Sequence, residues 1–224
     1  MAKTTITILI TCIFCFSILL GQENELKIGI ETGPSLISIR GNDLANQNQS
    51  QFSGYAGGLT LQYSLHPNFS VKTNLAYERK GARSTAEITD PLGALLGETT
   101  YISNFDYLTI PVLGHFSFGE NVRIFANFGP YLGFLLKQAN ITKPYNNVAK
   151  IKENNIDNFK RLDWGLTAGL GGGIAIKENI FLTLEVRHNL GLHSISKVRV
   201  FNDGKVLTRS TNFLLGVAYL ISEE

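Results

Sequence analysis

Residues 161–190 read RLDWGLTAGLGGGIAIKENIFLTLEVRHNL. In the first half Leu162, Trp164, Leu166, Ala168, Leu170, Ile174 and Ile176 fall on alternate positions, with Asp163, Gly165, Thr167, Gly169, Gly171, Gly173 and Ala175 between them. After Lys177-Glu178-Asn179, Ile180, Leu182, Leu184 and Val186 alternate with Thr183, Glu185, Arg187 and Asn189. A period of two is the period of a β-strand. A turn of about three residues makes the two strands an antiparallel hairpin. One face is apolar throughout, and the other is glycine, threonine and charge. A water-soluble barrel would bury the apolar face. Here Glu185 and Arg187 beside many glycines suit a narrow polar interior, which turns the apolar face toward lipid.

Working outward, the same alternation predicts six further strands, eight in all. The first spans Leu26–Ser38, the second Phe52–Leu65, and the third starts at Phe69 and carries Val71, Thr73, Leu75 and Tyr77 on one face. The fourth holds YLTIPVLGHFSF at 107–118, the fifth spans Val122–Leu136, and the last Thr211–Ile221. Tight turns are expected at His66–Asn68, Gly119–Asn121 and Lys177–Asn179, and long polar connections near 39–51, 82–100, 137–160 and 191–208. Short turns at one end and long loops at the other describe an up-and-down outer-membrane barrel. The expected fold is therefore an all-β, eight-stranded antiparallel transmembrane β-barrel, with short periplasmic turns and long extracellular loops. Two connections read as strand extensions: Asp90-Pro91-Leu92-Gly93 is a turn signal, and Asn202-Asp203-Gly204 between Val198–Phe201 and Lys205–Thr208 reads as a hairpin tip.

The chain has 224 residues, and 20 Lys and Arg stand against 18 Asp and Glu, so charge gives no reason to expect a nucleic-acid partner. Lys3 followed by the apolar run Ile6–Leu20 reads as a signal peptide over residues 1–21, cleaved near Gly21–Gln22, which leaves a barrel domain over 22–224. Cys12 and Cys15 lie inside that run, so the mature chain is expected to lack both disulfides and a thiol nucleophile. Only a closed strand array could then carry the chain through a bilayer, because closure is what satisfies backbone polar groups in lipid.

Candidate chemistry is sparse. The run Gly169-Leu170-Gly171-Gly172-Gly173 sits in a strand pattern with no helix after it, so it reads as structural glycine. His188 and His193 lie near Ser194 and Ser196, the residue types a lipid-deacylating barrel would use, but no activating acid has a clear position. Glu185, His188 and His193 do not have metal-ligand spacing. His66 falls in a turn. Lys27, Glu31, Lys72, Glu78, Arg123, Asp163, Glu185 and Arg187 share the inward phase and are expected to pair across a lumen too narrow for a channel. Tyr55, Tyr63, Tyr77, Tyr107, Phe116, Phe118, Phe134, Trp164 and Tyr219 are expected in aromatic girdles. Lys137, Lys143, Lys150, Lys152, Lys160 and Arg161 outnumber Glu153 and Asp157 in the third long connection, where they could meet lipid phosphates.

KIGIETGPS at 27–35, YLTIPVL at 107–113, FANFGPYLG at 125–133 and DWGLTAGLGGGI at 163–174 together resemble the PorT-type outer-membrane β-barrel family of Bacteroidetes. The resemblance covers nearly all of the mature chain. It implies an outer-membrane barrel, associated in the namesake with type IX protein secretion, and offers no catalytic residue. The expected function is a non-enzymatic outer-membrane protein with a structural or partner-binding role, linked through the resemblance to secretion. No catalytic, cofactor-binding or metal residue and no cofactor is expected. The expected partners are outer-membrane lipids and a protein reached through the extracellular loops. The rivals are a lipid-modifying barrel enzyme, which needs a His–Ser–acid set at one rim, and a soluble lipocalin-like carrier, which needs an apolar lumen.

Overall fold

The computed structural model describes residues 25–41, 49–50, 52–89, 91–143 and 151–221. The expected signal segment and its cleavage point, Cys12, Cys15, Asp90, Lys150 and residues 222–224 lie outside them. The described residues form antiparallel strands β1 (Leu26–Arg40), β2 (Gln49–Ser50), β3 (Phe52–His66), β4 (Phe69–Thr89) and β5 (Leu95–Phe118). They continue with β6 (Val122–Thr142), β7 (Ile151–Glu153), β8 (Leu162–Lys177), β9 (Ile180–Gly191) and β10 (Leu207–Ile221).

The eight-stranded expectation is wrong in its count. One sheet holds ten strands, nine on the path β2-β4-β3-β1-β10-β9-β8-β6-β5, with β7 paired to β6 off that path. The two unexpected strands lie in connections that read as irregular. β2 adds to β4 at Arg83 and Ser84, and β7 adds to β6 at Asn140–Thr142. They form because β4, β5 and β6 run several residues past their expected ends and offer backbone edges that short segments satisfy. β4 also pairs with β5 from Phe69↔Phe116 to Thr89↔Leu95, which joins the long strands at the two sides of the path.

The faces divide as the alternation requires. Leu170 is 69 % exposed and Leu184 64 %, Leu166 is exposed and Leu182 half-buried, while Thr167, Glu185 and Arg187 are buried. Ile30, Leu59, Phe128, Phe213 and Val217 continue the outward apolar surface around the sheet. Such a band is far larger than the apolar patches soluble monomers leave in water. Most of the expected girdle aromatics point outward, among them Tyr55, Phe118, Trp164 and Tyr219. Tyr107 is the exception, fully buried on the inner side.

The inner side is not apolar, which removes the carrier reading. At the long-connection end a small apolar cluster of Ile39, Ala82, Phe105, Tyr107, Leu135 and Ile195 is joined by Ile156, Phe159 and Val206. Phe159 packs edge-on to Phe105 with ring centroids 4.8 Å apart. This cluster explains a second correction. The 191–208 connection does not form a hairpin: β9 stops at Gly191, β10 starts at Leu207, and a short 3-10 turn covers Phe201–Asp203. Burying Ile195 draws the chain inward over the opening. The turn chemistry at the tip survives, since Asn202 and Asp203 both have positive φ, 54° and 51°.

Candidate functional site

Two networks of buried charge fill the inner side. The first lies toward the tight turns. Glu31 on β1 accepts from Lys72 Nζ at 3.1 Å, from Arg187 Nη2 at 3.0 Å, and from Asn74. Glu185 on β9 accepts from Lys72 Nζ at 3.1 Å, Arg187 Nε at 2.8 Å and Asn127 Nδ2 at 2.8 Å. Two carboxylates thus share one ammonium and one guanidinium. The rigid fork of arginine lets Arg187 serve both.

The second network lies toward the long connections. Asp163 on β8 accepts from Lys80 Nζ at 2.9 Å, Thr208 Oγ1 at 2.7 Å and Tyr131 OH at 3.2 Å. Glu78 accepts at Oε1 from Asn189 Nδ2 at 2.9 Å and Asn212 Nδ2 at 3.0 Å, and from Ser210 Oγ. The Lys80 ammonium also lies 4.2 Å from the centre of the Tyr131 ring. Burial without these partners would be costly. With them it still contributes little net stability, because desolvation offsets most of the attraction. The networks act mainly to fill and fix the lumen.

The expected inward charges reach these two networks except Lys27, which is buried but pairs with Glu25, and Arg123. Lys27, Glu31, Lys72, Glu78, Asp163, Glu185 and Arg187 are buried. Arg123 is only half-buried, at the turn end, donating to the backbone oxygens of Gly119 and Pro67. Lys80 was not among the expected inward residues, although it is fully buried and central. One more step of the β4 alternation after Glu78 would have found it.

The deacylase constellation does not assemble. His188 Nδ1 faces Thr211 Oγ1 at 2.9 Å, and His193 Nε2 faces Lys160 Nζ at 3.2 Å while its ring stacks on Trp164. Ser194 Oγ accepts from the Val206 amide, and Ser196 Oγ donates to the Val198 carbonyl. Glu185 and His188 are on opposite faces of β9, so with His193 they form no ligand set. His66 accepts from the Asn68 amide at the tight turn, and His115 bonds Asn127. Among the described residues no group of three His, Cys, Asp or Glu could hold a metal ion.

An apolar outer band, a polar interior filled by paired charges and tight turns opposite long connections define a barrel of the kind that sits in a bilayer. The chain belongs to the family described as Outer membrane protein beta-barrel domain, which it matches over residues 20–197. Its place is the outer membrane. Among solved structures it is similar to Neisserial surface protein A at 12 % identity, covering 87 % of this chain and 96 % of that one with a TM-score of 0.47. It is similar to Ail, the attachment invasion locus protein of Yersinia pestis, at 13 % identity, covering 89 % and 100 % with a TM-score of 0.46. It is similar to OprG from Pseudomonas aeruginosa at 12 % identity, covering 92 % and 99 % with a TM-score of 0.43. No curated protein matches it.

Proposed function

We propose that this protein is a non-conducting outer-membrane anchor that presents a β-ribbon to a protein partner at the outer surface. The observation that carries the reading is the overhang of β4 and β5. Pairing of β4 with β3 stops at Ala56↔Glu78, whereas pairing with β5 continues to Thr89↔Leu95. β6 pairs with β5 as far as Tyr101↔Thr142, and Lys143 just after it still bonds Thr100 and Thr99. Among the described residues the ribbon is two-stranded beyond Ala86 for three residues of β4, roughly 10 Å at the usual rise per residue. An isolated two-stranded ribbon is marginal in water. This one also exposes Leu92 (93 %) and Leu95, apolar side chains that a partner would cover.

The lumen supports the non-conducting half of the reading. Lys80 and Asp163 are fully buried where they pair, and the cavities beside the two networks measure about 20, 30 and 80 Å³. The resemblance to PorT-type barrels makes a component of the secretion apparatus the first partner to test. Lipid phosphates beside Lys137 and Arg161 are a further contact of the same surface.

The test places a photo-crosslinking amino acid at Leu92 in cells and, as a control, at Asn121 in an opposite-end turn. A discrete adduct from Leu92 alone, lost when residues 85–99 are replaced by a two-residue turn that leaves the barrel folded, is the expected result. Identical adducts from both positions, or none from Leu92, would refute the ribbon's role. Stepwise ion conductance of the purified protein in a planar bilayer would refute the sealed lumen.

A further inference from the structure

We propose that the cavity beside Glu78 is a binding site for one monovalent cation of about the size of water, with potassium the best fit. Three observations converge on it, and none depends on the ribbon.

The first is charge. The network around Glu31, Glu185, Lys72 and Arg187 is balanced. Among the described residues the network around Glu78 and Asp163 has Lys80 alone, 2.9 Å from Asp163 and 3.7 Å from Glu78. All three side chains are at most 1 % exposed. The other inward ammonium, on Lys27, is engaged elsewhere: it bonds Glu25 and lies over the Phe181 ring. One buried negative charge is therefore left over where solvent cannot compensate it.

The second is a set of oxygens. Asn74 Oδ1, Glu78 Oε2 and Asn212 Oδ1 are buried and accept no hydrogen bond. The amide orientations are fixed by their other ends, since Asn74 Nδ2 donates to Glu31 and Asn212 Nδ2 donates to Glu78. Flipping either amide would set oxygen against carboxylate oxygen. The two amide oxygens are thus left without donors by construction of the network, and Glu78 Oε2 has only the Lys80 ammonium, at 3.7 Å.

The third is space. Asn74, Glu78 and Asn212 line one cavity of about 20 Å³. That exceeds the roughly 10–15 Å³ a single water-sized occupant needs. Arg187 also lines it, but its nitrogens are committed to Glu31 and Glu185.

The occupant must bring positive charge and satisfy several acceptors at once. A water molecule brings no charge. A proton on Glu78 Oε2 neutralises the carboxylate but offers one donor to two amide oxygens. One carboxylate and two amide oxygens carry too little charge to favour a divalent ion, and hard oxygen ligands without nitrogen or sulfur disfavour a transition metal. A monovalent cation meets every requirement.

The mature protein, folded in micelles, is to be melted in potassium, sodium and choline chlorides at one ionic strength. Crystals are to be soaked in thallium(I), which substitutes for potassium and scatters anomalously. Potassium at ten times its dissociation constant should raise Tm over choline by about 3–6 °C. Glu78→Gln should abolish that difference, and an anomalous peak should lie in the cavity. Equal melting in all three salts with no peak overturns the proposal, leaving water or a proton as the occupant. If the Glu78→Gln protein does not fold, the peak in the unsubstituted protein decides.

Discussion

Replacing Leu184 by arginine tests the assignment of faces most directly. Leu184 lies near the middle of β9, opposite Leu215 on β10 and Gly172 on β8. It is 64 % exposed, and its outward neighbours Leu170, Val186 and Leu215 are all apolar. An arginine there has no carboxylate on its own face to meet. Its guanidinium must be drawn into hydrocarbon or reach for the headgroups at the expense of local packing. On a lipid-facing site near the midplane this costs about 2–4 kcal/mol. The folded-to-unfolded ratio should fall by about 30- to 700-fold. The matched control is Tyr219→Arg, at the turn end of β10 opposite Ile180, where a charge should cost only about 0–1 kcal/mol. Both are measurable by denaturant titration in lipid vesicles, following the fluorescence of Trp164, the chain's one tryptophan. Equal losses at the two sites, or a loss below about 0.5 kcal/mol at Leu184, would refute a lipid-facing apolar band of this depth.

Lys80→Met should destabilise the fold by about 3–5 kcal/mol, because Asp163 and Glu78 are left buried without their ammonium. Adding Asp163→Asn should restore part of that loss in the same denaturant titration, and failure of the pair to show any coupling would mean that the Lys80–Asp163 contact is not formed. Ile195→Ala should cost about 2–5 kcal/mol where the cap is intact, since the side chain is fully buried against the apolar cluster. Hydrogen exchange should quicken at Ile195 and Lys160, whose amides donate to Val206 and Ile195, while the amides of β8 and β9 stay protected. Uniform acceleration through the strands would show that the cap is not a separable unit.

Much of the architecture was legible because strand alternation is a local property. Leu162 to Ile176 and Ile180 to Val186 declare their faces two residues at a time, without reference to any partner. The inward phase of Glu31, Lys72, Glu78, Asp163, Glu185 and Arg187 follows from the same count. Positions at strand ends were harder. Lys80 was missed because Arg79, Gly81 and Arg83 break the apolar phase after Tyr77 and hide the continuation of β4 to Thr89. β2 and β7 were invisible because two or three residues carry no period. Each forms only where an already extended strand presents its edge. The expected hairpin over 198–208 failed for the opposite reason: the local turn signal at Asn202-Asp203 is real, but burial of Ile195 outweighs ribbon formation.

The sequence by itself determined which side chains face lipid and which face inward, because both follow from a two-residue repeat and the apolar content of each phase. Only the tertiary structure decided which inward charges meet. Lys72 reaches Glu185 across 113 residues, and Lys80 reaches Asp163 across 83. These contacts bridge strands that do not pair with each other, β4 with β9 and β4 with β8. Their heights in the lumen depend on the stagger accumulated from strand to strand around the sheet. No local stretch of sequence carries that sum, and it sets which carboxylate finds an ammonium and which is left one charge short.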